Sequence, residues 1–239
     1  KKAAGGGPRS DGGVEHPFET DYGDHFETCK SAFEDIAPLL RKLAELKGIK
    51  PAKLRVYDPY FCAGNMVAHF KELGFPRVSN TNTDCYKVWE DGETPEYDVL
   101  ITNPPFSADH KQKCLEKCME DGKAWMVLLP AYCATKEYFT AITAKEASHL
   151  LFAVPKERYT FDHPAGTGHE DSPFFSLWFL NLGKHAGEIM DYYKSNHGSG
   201  GLRLVKTVKE LEDLNAIAGG KRLNPRQRKA MKKRQSGGS

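Results

Sequence analysis

The sequence predicts an α/β fold in which a mostly parallel sheet carries helices on both faces. Short apolar runs alternate with segments whose apolar residues recur at helical spacing. The run 124–130 is apolar almost throughout, which is typical of a central strand of a parallel sheet. From Leu54, a strand, a turn of small residues and a helix follow within about twenty residues. That order is the opening of a nucleotide-binding βαβ unit.

The first predicted helix has apolar residues at helical spacing from Phe33 to Leu46, and Pro38 within it can split it in two. Strands then follow at 54–57 and within 77–86, and any third strand before residue 98 must be short. The later elements are a strand at 98–101, a helix at 109–118, a strand at 124–130, a helix at 132–144, and strands at 150–155 and 173–180.

The 239 residues, 39% hydrophobic and 28% charged, suffice for one α/β domain with tails. We expect a disordered glycine-rich segment at 1–14, the folded domain at 15–200, an amphipathic C-terminal helix within 201–218, and a disordered basic tail at 219–239. Because the first residue is Lys1, we expect a longer parent protein.

Composition narrows the classes of protein. No apolar run approaches the ~20 residues of a membrane span, and no secretory signal segment is visible. The six cysteines form no C-x-x-C pair and no cluster at zinc spacing, so we expect reduced thiols, no metal, and a nuclear or cytoplasmic location. The turn after Tyr57 lacks the lysine and length of a phosphate loop, which argues against a nucleotide hydrolase.

Two polar stretches end predicted strands. Asn103-Pro104-Pro105-Phe106 follows the strand at 98–101, and two consecutive prolines cannot donate to a β-ladder, so Asn103 stands at a strand's carboxyl end. The predicted strand at 54–57 likewise ends at a polar stretch, Asp58-Pro59-Tyr60-Phe61-Cys62-Ala63-Gly64-Asn65. Ligands of open α/β sheets bind at that edge.

Asn103-Pro104-Pro105-Phe106 resembles motif IV of the S-adenosylmethionine-dependent methyltransferases that act on planar nitrogens, and the turn from Asp58 resembles their motif I. The order, motif I before motif IV, is that of one N6-adenine group. The resemblance covers about 22–181 and implies a Rossmann-like sheet with an antiparallel final hairpin. It implies that Asn103 and Pro104 accept hydrogen bonds from the target amine, and that Phe106, after Pro105, stacks on the target.

The resemblance also implies which residues bind the cofactor, S-adenosylmethionine. Asp58 would lie near its methionine amino group, and Gly64 would let the backbone approach, with Asn65 replacing a second glycine. Asn82, or alternatively Asn80, would contact the ribose and Asp84 the ribose or adenine. The segment 21–28 resembles motif X at the methionine end. The full expected set is Asp58, Pro59, Tyr60, Gly64, Asn65, Asn82, Asp84, His25 and Phe26.

Residues that would contact the substrate lie in three places. Phe61 stands beside the first motif, and Arg158 and His163 belong to a region that borders the target pocket in relatives. Eight lysine or arginine residues and no acid lie between 221 and 234, which favours phosphate contact over a nuclear localisation signal or a solubilising end. The tail residues expected to contact substrate are Lys221, Arg222, Arg226 and Arg228.

We therefore expect direct methylation of the adenine N6 amine in RNA or DNA, with the base unpaired or flipped out. Two alternatives stay open. The substrate could be another planar nitrogen, a protein glutamine or guanine N2, or the chain could be an inactive methyltransferase-like module that binds RNA or scaffolds a partner. No target-recognition segment is visible between the motifs, so a protein partner could select the target.

Overall fold

A computed structural model describes residues 10–11, 14–18, 26–162 and 174–217. Its strands are β1 (Ser10–Asp11), β2 (Val14–Glu15), β3 (Glu27–Thr28), β4 (Arg55–Tyr57), β5 (Arg77–Ser79), β6 (Val99–Thr102), β7 (Ala124–Pro130), β8 (Leu150–Pro155), β9 (Phe161–Asp162), β10 (Ser176–Asn181) and β11 (Leu202–Val205). Its α-helices are α1 (Lys30–Leu46), α2 (Asn65–Glu72), α3 (Cys85–Glu90), α4 (His110–Asp121), α5 (Glu137–Thr143), α6 (Ala186–His197) and α7 (Val208–Asp213).

The central sheet has seven strands in the order β11-β8-β10-β7-β6-β4-β5. Strands β4, β5, β6 and β7 are mutually parallel. Strand β10 lies antiparallel between β7 and β8, and β11 is antiparallel to β8. The carboxyl ends of β4 to β8 therefore share one edge of the sheet with the amino ends of β10 and β11. The predicted α/β class, with its mostly parallel sheet and antiparallel end, is confirmed.

Helices cover both faces because the strand side chains alternate between two cores. In β7, Met126 and Leu128 join the core that contains α1, α2 and α6, whereas Trp125, Val127 and Leu129 join the core that contains α4 and α5. All five side chains are completely buried. Both faces of β7 are thus apolar, which explains its unbroken hydrophobic run.

Helix α1 continues through Pro38 and is not split in two. A proline inside a helix removes one hydrogen bond and costs about 3 kcal/mol. Eight apolar residues of α1 are buried, and the five large ones each contribute roughly 1.5–3 kcal/mol when fully buried: Phe33, Ile36, Leu39, Leu40 and Leu43. Packing against the sheet therefore outweighs the proline.

The C-terminal region differs from the single helix expected within 201–218. Leu202–Val205 is a strand, β11, because Leu202, Leu204 and Val205 bury their side chains while the backbone pairs with β8. The helix begins later, at Val208, where Thr207 and Glu210 form a capping box. The described backbone between α3 and β6 is turn and coil and holds no strand, so β11 makes the seventh strand of the sheet.

The hairpin at the end of the sheet also differs in detail. Strands β8 and β10 pair as expected, but Phe161–Asp162 between them leaves the sheet and pairs with β3. This small ribbon brings the segment before α1 to the carboxyl edge of the main sheet. It carries Glu27 and Phe26 to the cavity described next.

Candidate active site

A cavity of about 570 Å³ lies where the strand order reverses, between β4 and β6. Strand β5 continues the sheet on one side of this point and β7 on the other. The cavity is lined by the turn after β4, by residues that follow β5, and by Thr102, Asn103 and Pro105 after β6. Ligands of open α/β sheets bind at such reversals. The structure therefore brings the two polar stretches of the sequence to one place.

Asp58 lies at the base of this cavity and is 8% exposed. One carboxylate oxygen, Oδ1, accepts hydrogen bonds from the Thr102 hydroxyl at 2.5 Å and from the Tyr60 amide at 3.2 Å. No donor among the described residues reaches Oδ2. Burial raises the pKa of Asp58 to about 7, against the lowering effect of those two hydrogen bonds, and the Glu27 carboxylate raises it further.

The turn after Asp58 depends on Gly64. Its φ is +83°, and a Cβ built there would lie 3.2 Å from Cε2 of Phe61. Asn65, expected to take a left-handed conformation in place of a second glycine, is instead the first residue of α2 and does not line the cavity. Gly64 alone therefore supplies the left-handed residue, because α2 starts immediately after it.

Replacing Gly64 with alanine should destabilise the protein and weaken ligand binding in the cavity. The left-handed backbone alone costs an L-residue about 1–2 kcal/mol, and the contact with Phe61 adds to that. Gly92→Ala is the matched control, since φ is +71° there and nothing lies within 4 Å of the new Cβ. Chemical denaturation should show a larger loss for Gly64→Ala, and equal losses would contradict the role of the Phe61 contact.

Glu27 holds this turn from the opposite side. Its Oε1 accepts the backbone N–H of Ala63 at 2.5 Å, although 36 residues separate the two in sequence. Burial, and next the Glu27 carboxylate, raise the pKa of the Cys62 thiol to about 12. Glu27 also lines the cavity, so three carboxylates, those of Glu27, Asp58 and Asp84, belong to its lining. The resemblance implies cofactor contacts for its neighbours His25 and Phe26, whereas no sequence motif indicates a role for Glu27.

Asn103 faces the cavity from the end of β6. Its Oδ1 is buried and accepts no hydrogen bond from the described residues. A buried acceptor without a donor destabilises the folded protein by about 1–3 kcal/mol. The presence of an unpaired Oδ1 at Asn103 therefore needs an explanation. A ligand N–H would satisfy it.

The loop after Asn103 is fixed by a buried cation. Lys111, on α4, is 8% exposed and donates from Nζ to the Phe106 carbonyl. Pro104 is buried, and neither it nor Phe106 lines the cavity. The Phe106 ring instead meets Phe174 edge to face, with 6.2 Å between centroids. Asn103 therefore lines the cavity, whereas Phe106, three residues later, makes its aromatic contact outside the cavity lining.

The residues after β5 are arranged differently from the expectation. Asn80 lines the cavity and donates from Nδ2 to the Asp58 carbonyl at 3.1 Å, so its Oδ1 is left to accept. Asn82 does not line it, and its Oδ1 accepts from Nδ1 of the buried His16 at 3.0 Å. Asp84 does line the cavity and caps α3 through the Tyr86 amide. Of the two asparagines, only Asn80 belongs to the cavity lining.

One wall of the cavity is aromatic. The Tyr60 and Tyr86 hydroxyls lie 3.2 Å apart, and the Tyr86 hydroxyl is hydrogen-bonded to Nδ1 of His110. The Tyr86 and His110 rings stack with centroids 5.6 Å apart. Burial raises the pKa of Tyr60 well above its ordinary value, so the phenol stays protonated. Such a wall offers flat apolar surface and hydrogen bonds to a planar ring.

Of the expected site residues that the structure describes, the larger part lines this cavity. The expected residues that line the cavity are Asp58, Pro59, Tyr60, Phe61, Gly64, Asp84, Phe26, Asn103 and Pro105. Those described but outside its lining are Asn65, Asn82, Pro104, Phe106 and Arg158. Six expected residues lie outside the described part of the chain, namely His25, His163, Lys221, Arg222, Arg226 and Arg228. Segments 1–9 and 218–239 also lie outside it.

No group of three or more potential metal ligands occurs among the described residues. In the same part of the chain, no helix is both long and apolar enough to cross a membrane. All six thiols are free. No protein-family model and no curated protein matches the chain.

Proposed function

We propose that the protein is an S-adenosylmethionine-dependent methyltransferase that methylates the N6 amine of adenine in nucleic acid. The observation that carries this proposal is the buried, unpartnered Oδ1 of Asn103, a residue that lines the same cavity as Asp58 and Gly64. An acceptor in that position suits a ligand N–H that is bound only during the reaction. Sequence motifs that resemble motifs I and IV of N6-adenine methyltransferases meet around this one space.

The residues present fit the cofactor. The cavity of about 570 Å³ is within the roughly 300–1,000 Å³ of small-molecule sites. The left-handed Gly64 lines the cavity, and its missing Cβ leaves room for the Phe61 ring, which lines the cavity beside it. Asp58 and Glu27 offer two carboxylates to a ligand that carries an ammonium and a sulfonium, and the aromatic wall of Tyr60 and Tyr86 suits its adenine.

S-adenosylmethionine, when bound, supplies a methyl group activated by the positive sulfur. The chain's own contribution is orientation and electrostatics. An exocyclic adenine amine is a weak nucleophile because its lone pair is delocalised into the ring. Asn103 Oδ1 would accept one amine N–H, and the Pro104 carbonyl the other, which draws the nitrogen towards a tetrahedral geometry and localises its lone pair towards the methyl group. Lys111 keeps the loop in place through the Phe106 carbonyl.

The function is tested by incubating the full chain with isotopically labelled S-adenosylmethionine and, separately, single-stranded DNA, duplex DNA, total RNA and protein extract. Mass spectrometry then identifies the labelled residue. We expect N6-methyladenine. Label in glutamine or in guanine N2 would show that the substrate is another planar nitrogen and not adenine N6. Cofactor binding without label would indicate a missing partner. Absence of cofactor binding would reject the proposal in favour of an inactive RNA-binding or scaffold module.

The affinity for S-adenosylmethionine should rise with pH through neutrality. Because the pKa of Asp58 is raised to about 7, its carboxyl is mostly protonated below that pH. A cationic ligand favours the ionised form, so binding strengthens as the proton leaves. From about pH 6 to about pH 7 the ionised fraction, and with it the affinity, should increase about fivefold. Titration calorimetry measures this, and Asp58→Asn should flatten the profile. A wild-type profile that is flat over this range would contradict the assignment.

A further inference from the structure

Half-buried aromatic side chains cluster around Phe106, which lies three residues after Asn103. Phe106, Phe174 and Tyr132 form a continuous set, here called the aromatic rim, with ring centroids 6.2 Å apart between Phe106 and Phe174 and 5.6 Å between Tyr132 and Phe174. None of the three lines the cavity. Aromatic side chains that could be buried in a core but stay partly exposed next to a reactive group call for a ligand.

The fold places the aromatic rim along the carboxyl edge of the sheet. Phe106 follows β6, Tyr132 follows β7, and Phe174 precedes β10, whose amino end lies at that same edge. The Ala131 amide donates to the Phe175 carbonyl at 2.8 Å, which ties the last two segments together. The cavity occupies the edge over β4, β5 and β6, and the aromatic rim continues from β6 over β7 and β10. Asn103 is at the junction.

Cations accompany the aromatic rim. Nζ of the exposed Lys136 lies 5.6 Å from the centre of the Tyr132 ring, and the exposed Arg158 guanidinium lies 5.8 Å from that of Phe175, beside Phe174. Flat rings interleaved with cations match the two parts of a single nucleic-acid strand, because bases stack on the rings and phosphates meet the cations. A duplex keeps its bases stacked on one another and cannot use the rings in this way.

We propose that the aromatic rim binds single-stranded nucleic acid, with nucleotides that flank the target stacking on Phe174 and Tyr132 while Lys136 and Arg158 contact their phosphates. This inference rests on the proposed function and adds to it the form of the substrate. The flanking bases lie on the rim as the target base enters at Asn103. Selection of an unpaired strand then resides in this chain itself.

The test measures fluorescence anisotropy of a labelled single-stranded RNA that contains one adenine, with the full chain and with the variants Phe174→Ala and Tyr132→Ala. Loss of one stacked base should weaken binding by about 5- to 150-fold. Tyr192→Ala is the matched control, because Lys42 Nζ lies 5.3 Å from the Tyr192 ring and Lys136 Nζ lies 5.6 Å from the Tyr132 ring. Tyr192 lies on α6, outside the cavity and the aromatic rim. It should bind within about twofold of wild type.

Two further measurements separate stacking from a folding defect. An abasic nucleotide beside the adenine should abolish the difference between wild type and Phe174→Ala, which a misfolded variant would not show. Lys136→Ala and Arg158→Ala should each reduce the slope of log affinity against log salt by about 0.7. A duplex of the same sequence should bind more weakly than the single strand.

Cofactor binding, measured on the same samples, distinguishes this inference from the proposed function. If the chain binds S-adenosylmethionine but Phe174→Ala and Tyr132→Ala bind RNA as Tyr192→Ala does, the inference is overturned and the function stands. Equal or stronger binding of the duplex, or loss of affinity for a glutamine-containing peptide instead of RNA, also overturns it. Rim-dependent RNA binding without any cofactor binding supports the inference and rejects the methyltransferase proposal.

Discussion

Replacing Asn103 with alanine is expected to lower methyl transfer by at least about a hundredfold while the affinity for S-adenosylmethionine stays within about twofold of wild type. The Oδ1 atom is the acceptor that would orient the target amine, and the alanine side chain has none. Cofactor affinity should survive because Asp58, Gly64 and Glu27 are untouched. Single-turnover transfer to RNA and calorimetric binding of the cofactor measure the two quantities separately.

The stability of Asn103→Ala provides a second readout. In the free protein, Oδ1 accepts nothing from the described residues, so its removal leaves no described donor unpaired. Removing a buried orphan acceptor relieves about 1–3 kcal/mol, which offsets the lost packing, and the melting temperature should not fall. Asn196→Ala, an exposed asparagine whose Nδ2 donates to the Tyr192 carbonyl, is the control and should leave transfer unchanged. Wild-type turnover in Asn103→Ala would contradict the role of Asn103 as the acceptor for the target amine.

The elements that sequence could predict are those whose signal is local. Strand β7 is apolar on both faces, and β6 ends where two prolines follow, so both were recognisable from their own residues. Strand β11 was not, because Leu202–Val205 follows a glycine pair, is only four residues long, and becomes a strand by pairing with β8 about fifty residues away. Pro38 predicts a break that burial of the α1 face overrides.

The residues of the candidate site also divide into those with a local sequence signal and those placed by long-range contacts. Asp58, Gly64 and Asn103 each follow a strand that sequence identifies, and parallel strands bring their carboxyl ends to one edge. Asn80 and Asn82 are two residues apart in one turn, and only the folded backbone shows which faces the cavity. Glu27 acts on Ala63 through the ribbon of β3 and β9, a pairing with no sequence signature. Long-range contacts of this kind separate what could be predicted from what could not.

Glu27→Ala is expected to weaken S-adenosylmethionine binding by about 10- to 150-fold, the value of a hydrogen bond to a charged group of about 1.5–3 kcal/mol. The alanine leaves the Ala63 amide without its acceptor, so the turn that carries Gly64 loses its anchor from β3. It also removes one of the three carboxylates that line the cavity. Equilibrium binding of the cofactor at about pH 7.5 measures the loss.

Glu27→Gln separates the anchor from the charge. Its amide oxygen can still accept the Ala63 N–H, so the turn should keep its shape and binding should fall less than in Glu27→Ala. Because the Glu27 carboxylate helps to raise the pKa of Asp58, its neutralisation should also move the midpoint of the pH dependence to lower pH. Glu146→Gln, at a carboxylate that pairs with His149 outside the cavity, should move neither quantity. If Glu27→Gln loses as much affinity as Glu27→Ala and the midpoint stays in place, Glu27 acts on the ligand through its charge and does not tune Asp58.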